Sequence, residues 1–220
     1  MPIFRRNRKL SDIRAQPPLA TLRKVVRILV VDDDPNSFPI KTLQSEGYNI
    51  EHWPKVTNVN RLESGDFDII ILDIVGVASE WSAGDGLGIL EHLKKRNPSQ
   101  IVIAFSGHTF DLSKTSFWKL ADETLPKPVD ALKCKQVVDN LIETTFTIQH
   151  YWHGIVQLLR GTGVHEKKIE QLEDQVASAI TKGTQYNYAE GFSRFFKAGE
   201  LLVTLVSIGE KINQLSAFLK

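Results

Sequence analysis

Runs of apolar, often β-branched residues alternate with segments of helical spacing through the first 130 residues. Five runs predict strands, at 27–31, 49–53, 67–73, 100–105 and 123–125. The segments between them predict helices after Pro35 and over 57–64, 87–93 and 112–120. Continuous apolar runs are typical of strands buried on both faces of a parallel sheet. We therefore predict an α/β fold in which helices cover both faces of a five-stranded parallel sheet.

After Asp130, a plausible helix N-cap, the pattern predicts helices alone. Apolar positions recur at spacings of four and three from Leu141 to Leu159, which predicts one helix from Asp130 to Arg160. A second helix is predicted over 165–181, and a last one begins near Tyr188. We expect these helices to form an all-α hairpin or bundle after the α/β domain.

The last predicted helix carries an apolar stripe with the heptad spacing of a coiled-coil seam. Its members are Ala198, Leu201, Leu205, Ile208, Ile212, Leu215 and Leu219. Monomeric proteins avoid exposing such a stripe, so it must pack on the preceding helices or on a second copy of the chain. The number of aromatic residues nearby favours a second copy. We therefore predict a homodimer built mainly by residues 141–220.

Charge divides the chain at similar places. The net charge is +7 over residues 1–27, −6 over 28–140 and zero over 141–220, within a total of +1. We expect a basic N-terminal arm (1–26), an α/β domain (27–140) and a helical region for dimerisation or partner binding (141–220). A basic arm can touch nucleic acid or an anionic membrane, dock on its own acidic domain, or make no contact.

Composition excludes several classes of protein. The 220 residues are 42% apolar and 24% charged, which suits a folded chain with a core. The single cysteine, Cys134, excludes a disulfide framework and a cysteine-based zinc site. No apolar run is long enough to cross a bilayer, and the basic start lacks an apolar signal core. We therefore expect a cytoplasmic protein without membrane insertion.

Charged and hydroxyl side chains stand at the carboxyl ends of the predicted strands. Asp32 and Asp33 follow the first strand, Asp73 the third, Ser106 the fourth and Lys127 the fifth. A parallel sheet brings these ends to one rim. Carboxylates placed together need a cation, and hard oxygen ligands suit Mg²⁺. A hydroxyl and an ammonium beside them are typical of a phosphoryl site, with Asp73 as its nucleophile.

Four segments in register, ILVVDDDP, IIILDI, AFSG and LPKP, resemble the receiver domain of two-component response regulators. The resemblance covers roughly residues 26–140, and the helical extension resembles no family. It implies a flavodoxin-like fold and phosphorylation of Asp73 by a sensor histidine kinase or a phosphotransfer protein. It also implies that Ser106 is the switch hydroxyl, that Lys127 is the family's lysine, and that the Lys127–Pro128 bond is cis.

The same resemblance implies a set of metal ligands. Asp33 would bind Mg²⁺ directly and Asp32 mostly through water. Asp73 and the backbone carbonyl of Val75 would complete the ligands that the protein supplies.

Two positions depart from the family pattern. Thr124 stands three residues before the lysine, where the family usually has an aromatic residue, which puts the usual switching in doubt. The loop from Asp73 to Gly86 is 13 residues long, with an insertion over 75–86 that contains Trp81. The insertion is either a lid over the site, on which Trp81 packs, or a tolerated surface loop; we favour the surface loop.

We therefore predict a response regulator that signals through helical dimerisation or protein interaction and catalyses only its own phosphoryl transfer and dephosphorylation. Nucleic-acid binding is not expected, because the tail is neutral and shows no basic recognition helix. We interpret His150 and His153 as surface or interface residues, and the aromatic stretch 186–196 as packing. Two alternatives remain: a pseudo-receiver scaffold with a vestigial phosphosite, and a nucleic-acid binder acting through the basic arm.

Overall fold

The computed structural model describes residues 9–13, 16–107 and 119–219. These residues form two compact units. The first unit is Pro18–Thr145. The second unit combines the described residues that precede Pro18 with those that follow Thr145.

A five-stranded parallel sheet forms the centre of the first unit, with the strand order β2-β1-β3-β4-β5. The strands are β1 (Arg27–Val31), β2 (Asn49–Trp53), β3 (Ile69–Asp73), β4 (Ile101–Ser106) and β5 (Glu123–Pro126). All residues of β3 and β4 are buried, because both strands are central and covered on both faces. The order is that of flavodoxin-like folds, so the predicted fold class is confirmed.

Helices α1 to α5 of this unit surround the sheet. They are α1 (Leu19–Val25), α2 (Ile40–Ser45), α3 (Val59–Glu63), α4 (Asp85–Arg96) and α5 (Ala131–Thr145). The predicted N-cap of α5 is confirmed, since the backbone N–H of Lys133 donates to Asp130 Oδ1 at 2.8 Å. The helix predicted over 112–120 lies almost entirely outside the described residues.

Helix α1, which the apolar pattern did not predict, packs on α5 through a partly buried ion pair. The Arg23 guanidinium donates to both carboxylate oxygens of Asp139, at 2.8 and 2.6 Å, and the Tyr48 hydroxyl donates to the same carboxylate. Burial acts to raise the pKa of Asp139, but the hydrogen bonds from Arg23, Tyr48 and Lys135 outweigh it and leave the pKa lowered. Arg23, one of the cations of the basic N-terminal arm, is thus bound to an aspartate of the first unit.

The second unit is helical. Its helices are α6 (Ile148–Gly161), α7 (Glu166–Thr181), α8 (Tyr188–Ser193) and α9 (Glu200–Ala217). Helix α9 packs against α6 and α8. Leu205 and Ile212 are 0% exposed and Ile208 is 2% exposed, so the chain itself covers the middle of the predicted stripe.

The single helix predicted from Asp130 to Arg160 is two helices. Helix α5 ends at Thr145 and α6 begins at Ile148, with the Thr147 hydroxyl accepting the backbone N–H of His150 at 3.1 Å. The cause is local: threonines favour caps over helix interiors because their hydroxyls compete for backbone groups. The heptad spacing continues across the break, which is why periodicity alone did not reveal it.

The helix predicted to start near Tyr188 is also divided. Helix α8 ends at Ser193, and α9 begins after Gly199, whose φ of +125° is a conformation that suits glycine. Between the two helices the chain turns back on itself. The ring of Tyr188 packs against Gly209 of α9, where a Cβ atom would lie 2.3 Å from the ring.

The described N-terminal residues pack on the helical unit. A 3₁₀ turn at Leu10–Asp12 holds Leu10 at 0% exposure. The Gln149 side-chain amide donates to the carbonyls of Leu10, at 3.0 Å, and of Ile13, and the N–H of Leu10 donates to Glu173 at 3.2 Å. This unit is therefore assembled from both ends of the described chain.

Within the described residues, no helix combines the length and the hydrophobicity needed to cross a membrane.

Candidate phosphoryl site

Three carboxylates meet at the carboxyl end of the sheet. Asp32 and Asp33 follow β1, and Asp73 ends β3, which pairs with β1. One carboxylate oxygen from each residue lies within 4.8 Å of the others. Asp32 is 0% exposed and Asp73 is 7% exposed, whereas Asp33 is exposed to solvent. Such a cluster stores electrostatic repulsion that a cation relieves.

Lys127 supplies one positive charge to this cluster. Its Nζ atom lies 2.5 Å from Asp73 Oδ2 and 2.5 Å from Asp32 Oδ2. Burial acts to lower the pKa of the lysine, but the hydrogen bonds and charges of the two aspartates outweigh it, so the pKa is raised. Lys127 therefore remains protonated at neutral pH.

The nucleophile candidate is oriented by its own backbone. Asp73 Oδ1 accepts hydrogen bonds from the N–H groups of Ile74, at 2.6 Å, and Val75, at 3.3 Å. The other oxygen, Oδ2, faces the Lys127 ammonium. The two carboxylate oxygens therefore have distinct surroundings, one bound by main-chain N–H groups and the other by the lysine ammonium.

Ser106 and Lys127 come from adjacent strand ends. Ser106 is the last residue of β4 and is 1% exposed, and its carbonyl accepts the N–H of Lys127 at 3.0 Å. The Lys127–Pro128 peptide bond is cis, as the resemblance implied. Thr124, at the position where an aromatic residue is usual, is exposed on β5.

The insertion after Asp73 is folded. The Asp85 carboxylate accepts the N–H groups of Gly76 and Ala78, both at 2.5 Å, and so closes the loop at its base. Trp81 is 52% exposed. Its indole N–H donates to the carbonyl of Val56 at 2.8 Å. This contact ties the loop to the β2–α3 connection.

Two glycines keep the loop close to the carboxylates. A Cβ atom on Gly86 would lie 2.1 Å from the carbonyl oxygen of Asp73, so a side chain there would displace the strand end. A Cβ atom on Gly76 would lie 3.3 Å from Asp33 Oδ2. Gly76 also has a φ of +85°, which favours glycine.

Sequence reasoning missed two residues beside the site. His52 Nε2 lies 2.8 Å from the carbonyl oxygen of Asp32, and the Phe105 ring centroid lies 4.7 Å from Lys127 Nζ. His52 is the penultimate residue of β2, one position before the strand end, so the strand-end argument did not select it. Phe105 precedes Ser106 in an apolar run and looks there like an ordinary core residue.

The remaining candidates lie outside this cluster. The imidazole of His150 meets the Tyr151 ring edge-on, and His153 is exposed. Cys134 is buried, and burial raises the pKa of its thiol to about 12, so it remains protonated at neutral pH.

A curated protein is similar in sequence to part of this chain. The putative response regulator NtrX-like of Rickettsia bellii (strain RML369-C) is 32% identical over 125 residues. The matched region is 55% of this chain and spans only 26% of the length of that protein. No protein-family model matches the chain.

Solved structures with similar folds include several receivers. The receiver domain protein (CheY-like) of Methanospirillum hungatei JF-1 is 24% identical with a TM-score of 0.46, covering 55% of this chain and 95% of that one. NtrX from Brucella abortus is 26% identical with a TM-score of 0.46, covering 54% and 27%. TrrA from Thermotoga maritima, in complex with Mg²⁺-BeF, is 30% identical with a TM-score of 0.43, covering 53% and 99%.

The strand order, the acidic cluster with its lysine and the NtrX-like sequence similarity together identify the first unit as a response regulator receiver domain. The helical unit after it matches no family model.

The carboxylate cluster fits Mg²⁺. The three clustered side chains offer oxygen ligands only, and the exposed side of Asp33 leaves room for the waters that Mg²⁺ retains. Asp32 Oδ2 is buried and lies 2.5 Å from the Lys127 ammonium, which is its charged neighbour. A buried anionic oxygen of this kind is stabilised by a further cation.

Proposed function

We propose that this protein is a response regulator of a two-component system that accepts a phosphoryl group on Asp73 from a sensor histidine kinase or a phosphotransfer protein. The observation that carries the proposal is the pairing of Asp73 Oδ2 with the Lys127 ammonium beside Asp32 and Asp33. This arrangement combines a carboxylate nucleophile with cations that neutralise phosphoryl oxygens.

Each side chain has a distinct role in this proposal. Asp73 attacks the phosphorus atom, and the histidine nitrogen of the donor leaves with the electron pair of the broken P–N bond. Lys127 moves its ammonium to a phosphoryl oxygen, and the Ser106 hydroxyl donates to another. Mg²⁺, when bound by Asp32, Asp33, Asp73 and the Val75 carbonyl, supplies further positive charge to the phosphoryl oxygens.

Phosphorylation of matched variants tests this role. Full-length protein is incubated with Mg²⁺ and acetyl phosphate, and phosphoprotein is quantified by intact mass. Asp73→Asn should abolish the added mass, because an amide is not a nucleophile for phosphorus. Asp34→Asn is the control: Asp34 is an exposed neighbour whose side chain accepts the N–H of Asn36. Unchanged labelling of Asp73→Asn would disprove the assignment.

The helical unit is the proposed output, acting by dimerisation or protein binding. The first argument for a homodimer weakens, because Leu205, Ile208 and Ile212 are covered within the chain. The present support is the outer surface of α9, where Val203 is 64% exposed, followed by Phe218 at 45%. We retain the homodimer as a proposal that uses this surface.

Sedimentation of the full chain at tens of micromolar tests the dimer. Val203→Asp should shift the protein to a monomer, because burying an unpaired carboxylate at an interface is costly. Leu132→Asp is the matched control: Leu132 is 65% exposed, but lies on α5 in the receiver domain. A wild-type monomer, or dissociation caused by Leu132→Asp alone, would contradict the proposal.

The second candidate is a scaffold whose phosphosite is vestigial. Exposed Thr124 favours it, because the usual aromatic switch residue is missing from β5. If the protein is a scaffold, it should not bind beryllofluoride with Mg²⁺. If it is a regulator that accepts a phosphoryl group on Asp73, it should bind beryllofluoride, and Asp73→Asn should remove that binding. Nucleic-acid binding through residues 1–26 has less support, since Arg23 is committed to Asp139.

A further inference from the structure

The Phe105 ring lies against the ammonium group that serves the phosphoryl site. Its centroid is 4.7 Å from Lys127 Nζ, within the range of a cation–π contact. Phe105 is 0% exposed, and the side chain of Lys127 is 20% exposed. Cation–π attraction is strongest where water is excluded, so this contact lies in a favourable environment.

The strand register places the ring next to the proposed nucleophile. Phe105 on β4 pairs with Asp73 on β3 and with Leu125 on β5. Strand β4, which carries Phe105, therefore lies between the strand that carries the carboxylate and the strand that leads to the lysine. An aliphatic residue there would fill volume but would present no negative π-face to the ammonium.

A second aromatic residue fixes the orientation of this ring. Phe38 meets Phe105 edge-on, with centroids 5.5 Å apart and an interplanar angle of 85°. Phe38 is 3% exposed. Because the two rings are close-packed, the face of Phe105 is held toward the lysine and not free to turn.

We propose that Phe105 is a positioning residue for phosphoryl transfer, which holds the ammonium of Lys127 above the carboxylates; this inference rests on the function proposed for Asp73. An ammonium has three N–H donors, and Asp32 and Asp73 lie close enough to take two. The π-face of Phe105 attracts the positive charge of the ammonium but offers no lone pair that would accept one of its N–H hydrogen bonds. One donor thus stays available for an incoming phosphoryl oxygen.

The test compares phosphorylation of the full-length protein by acetyl phosphate with Mg²⁺. Phe105→Leu keeps an apolar side chain and removes the ring. The maximal rate should fall about three- to thirtyfold, as expected for losing a desolvated cation–π contact. The acetyl phosphate concentration for half-maximal rate should change less, because the ammonium acts mainly on charge that develops during transfer.

Two controls separate positioning from packing. Phe67→Leu removes a buried ring before the start of β3, at the end of the sheet opposite the carboxylates, and it should keep the rate within about twofold of wild type. In the Lys127→Ala background, Phe105→Leu should have no further effect, because the group that the ring positions is gone. A ring that acts only through packing would lower the rate in both backgrounds. If Phe105→Leu does not fold, Phe105→Met, which adapts to irregular space, takes its place.

The outcomes distinguish the two proposals. A wild-type protein that takes up no phosphoryl group overturns both the function and the positioning role. A wild-type protein that is phosphorylated while Phe105→Leu matches its rate overturns the positioning role alone. Equal losses from Phe105→Leu with and without Lys127 also overturn it.

Discussion

The indole N–H of Trp81 donates a hydrogen bond to the main-chain carbonyl of Val56, 2.8 Å away. The bond is reinforced by the backbone, since the Val56 N–H donates to the carbonyl of Val77 at 2.7 Å. The insertion is therefore attached at two points to the connection between β2 and α3. A loop fixed in this way keeps one conformation beside Asp33.

Trp81→Phe should loosen this attachment. The substitution keeps an aromatic ring but removes the N–H donor. A typical hydrogen bond contributes about 0.5–1.5 kcal/mol to stability, and this contribution should be lost. Amide exchange of Val56 should accelerate, while exchange in the central strands stays at the wild-type rate. Glu80→Gln is the control, because Glu80 makes only an exposed ion pair with Lys55. An unchanged Val56 amide would show that the indole does not anchor the loop.

Leu10→Ala should destabilise the helical unit, although Leu10 is more than a hundred residues away in sequence from the helices of that unit. Leu10 is 0% exposed, and replacing a buried leucine by alanine typically costs about 2–5 kcal/mol. Amides of α6 and α7 should exchange faster, and those of the sheet should not. Ser11→Ala, at the adjacent exposed position, should leave both units at wild-type protection. If the amides of Leu10→Ala are as well protected as those of wild type, the N-terminal turn does not contribute to the stability of the helical unit.

Asp139→Asn should reduce stability in a pH-dependent way. The folded state lowers the pKa of Asp139, so its contribution is present above the ordinary carboxyl pKa and is lost as pH falls through the lowered value. Urea unfolding at pH 7 should show a loss of about 1.5–3 kcal/mol, typical of hydrogen bonds to charged groups.

The difference between wild type and Asp139→Asn should begin to shrink below about pH 4, where the unfolded wild-type chain takes up a proton, and should vanish once the pH falls below the lowered pKa of Asp139 in the folded state. Glu91→Gln, an exposed carboxylate on α4, is the control and should show no such dependence. A difference that stays constant from pH 7 to pH 3 would exclude the ion pair as its source.

Gly209→Ala should destabilise the packing of α9 on α8. Alanine is the better helix former, but its Cβ would lie 2.3 Å from the Tyr188 ring, which must then move. Overpacking of this kind costs about 1–3 kcal/mol. Thermal unfolding of the full chain would measure the loss, with Val203→Ala as the exposed control on the same helix. A stabilised Gly209→Ala would mean that helix propensity outweighs the contact.

The sheet and the carboxylate cluster with its lysine were predictable because their signals are local. Apolar runs mark strands that are buried on both faces, and four of the five runs end at a candidate site residue or within two positions before one. Asp32, Asp73 and Lys127 could thus be placed together without knowing any contact. Phe105 and His52 could not, because their roles depend on which neighbour their rings face.

The helical unit was predicted less completely. Heptad spacing continued through Thr147, so the break between α5 and α6 was hidden by a pattern that survives a cap. The N-terminal turn carries a single apolar anchor, Leu10, and one residue has no periodicity to detect. The helices that cover Leu10 follow the receiver domain in the sequence, and local spacing cannot reveal a contact between residues so far apart.

The hydrogen bond between Gln149 and Leu10 closes a chain segment of 139 residues. A ribosome releases Leu10 long before it has made the helices that cover it, whereas Pro18–Thr145 is available as a whole much earlier. Domains tend to fold as units as they emerge during synthesis. We therefore expect nascent chains to complete the receiver first, while the apolar side chain of Leu10 stays uncovered until α6 and α7 are translated.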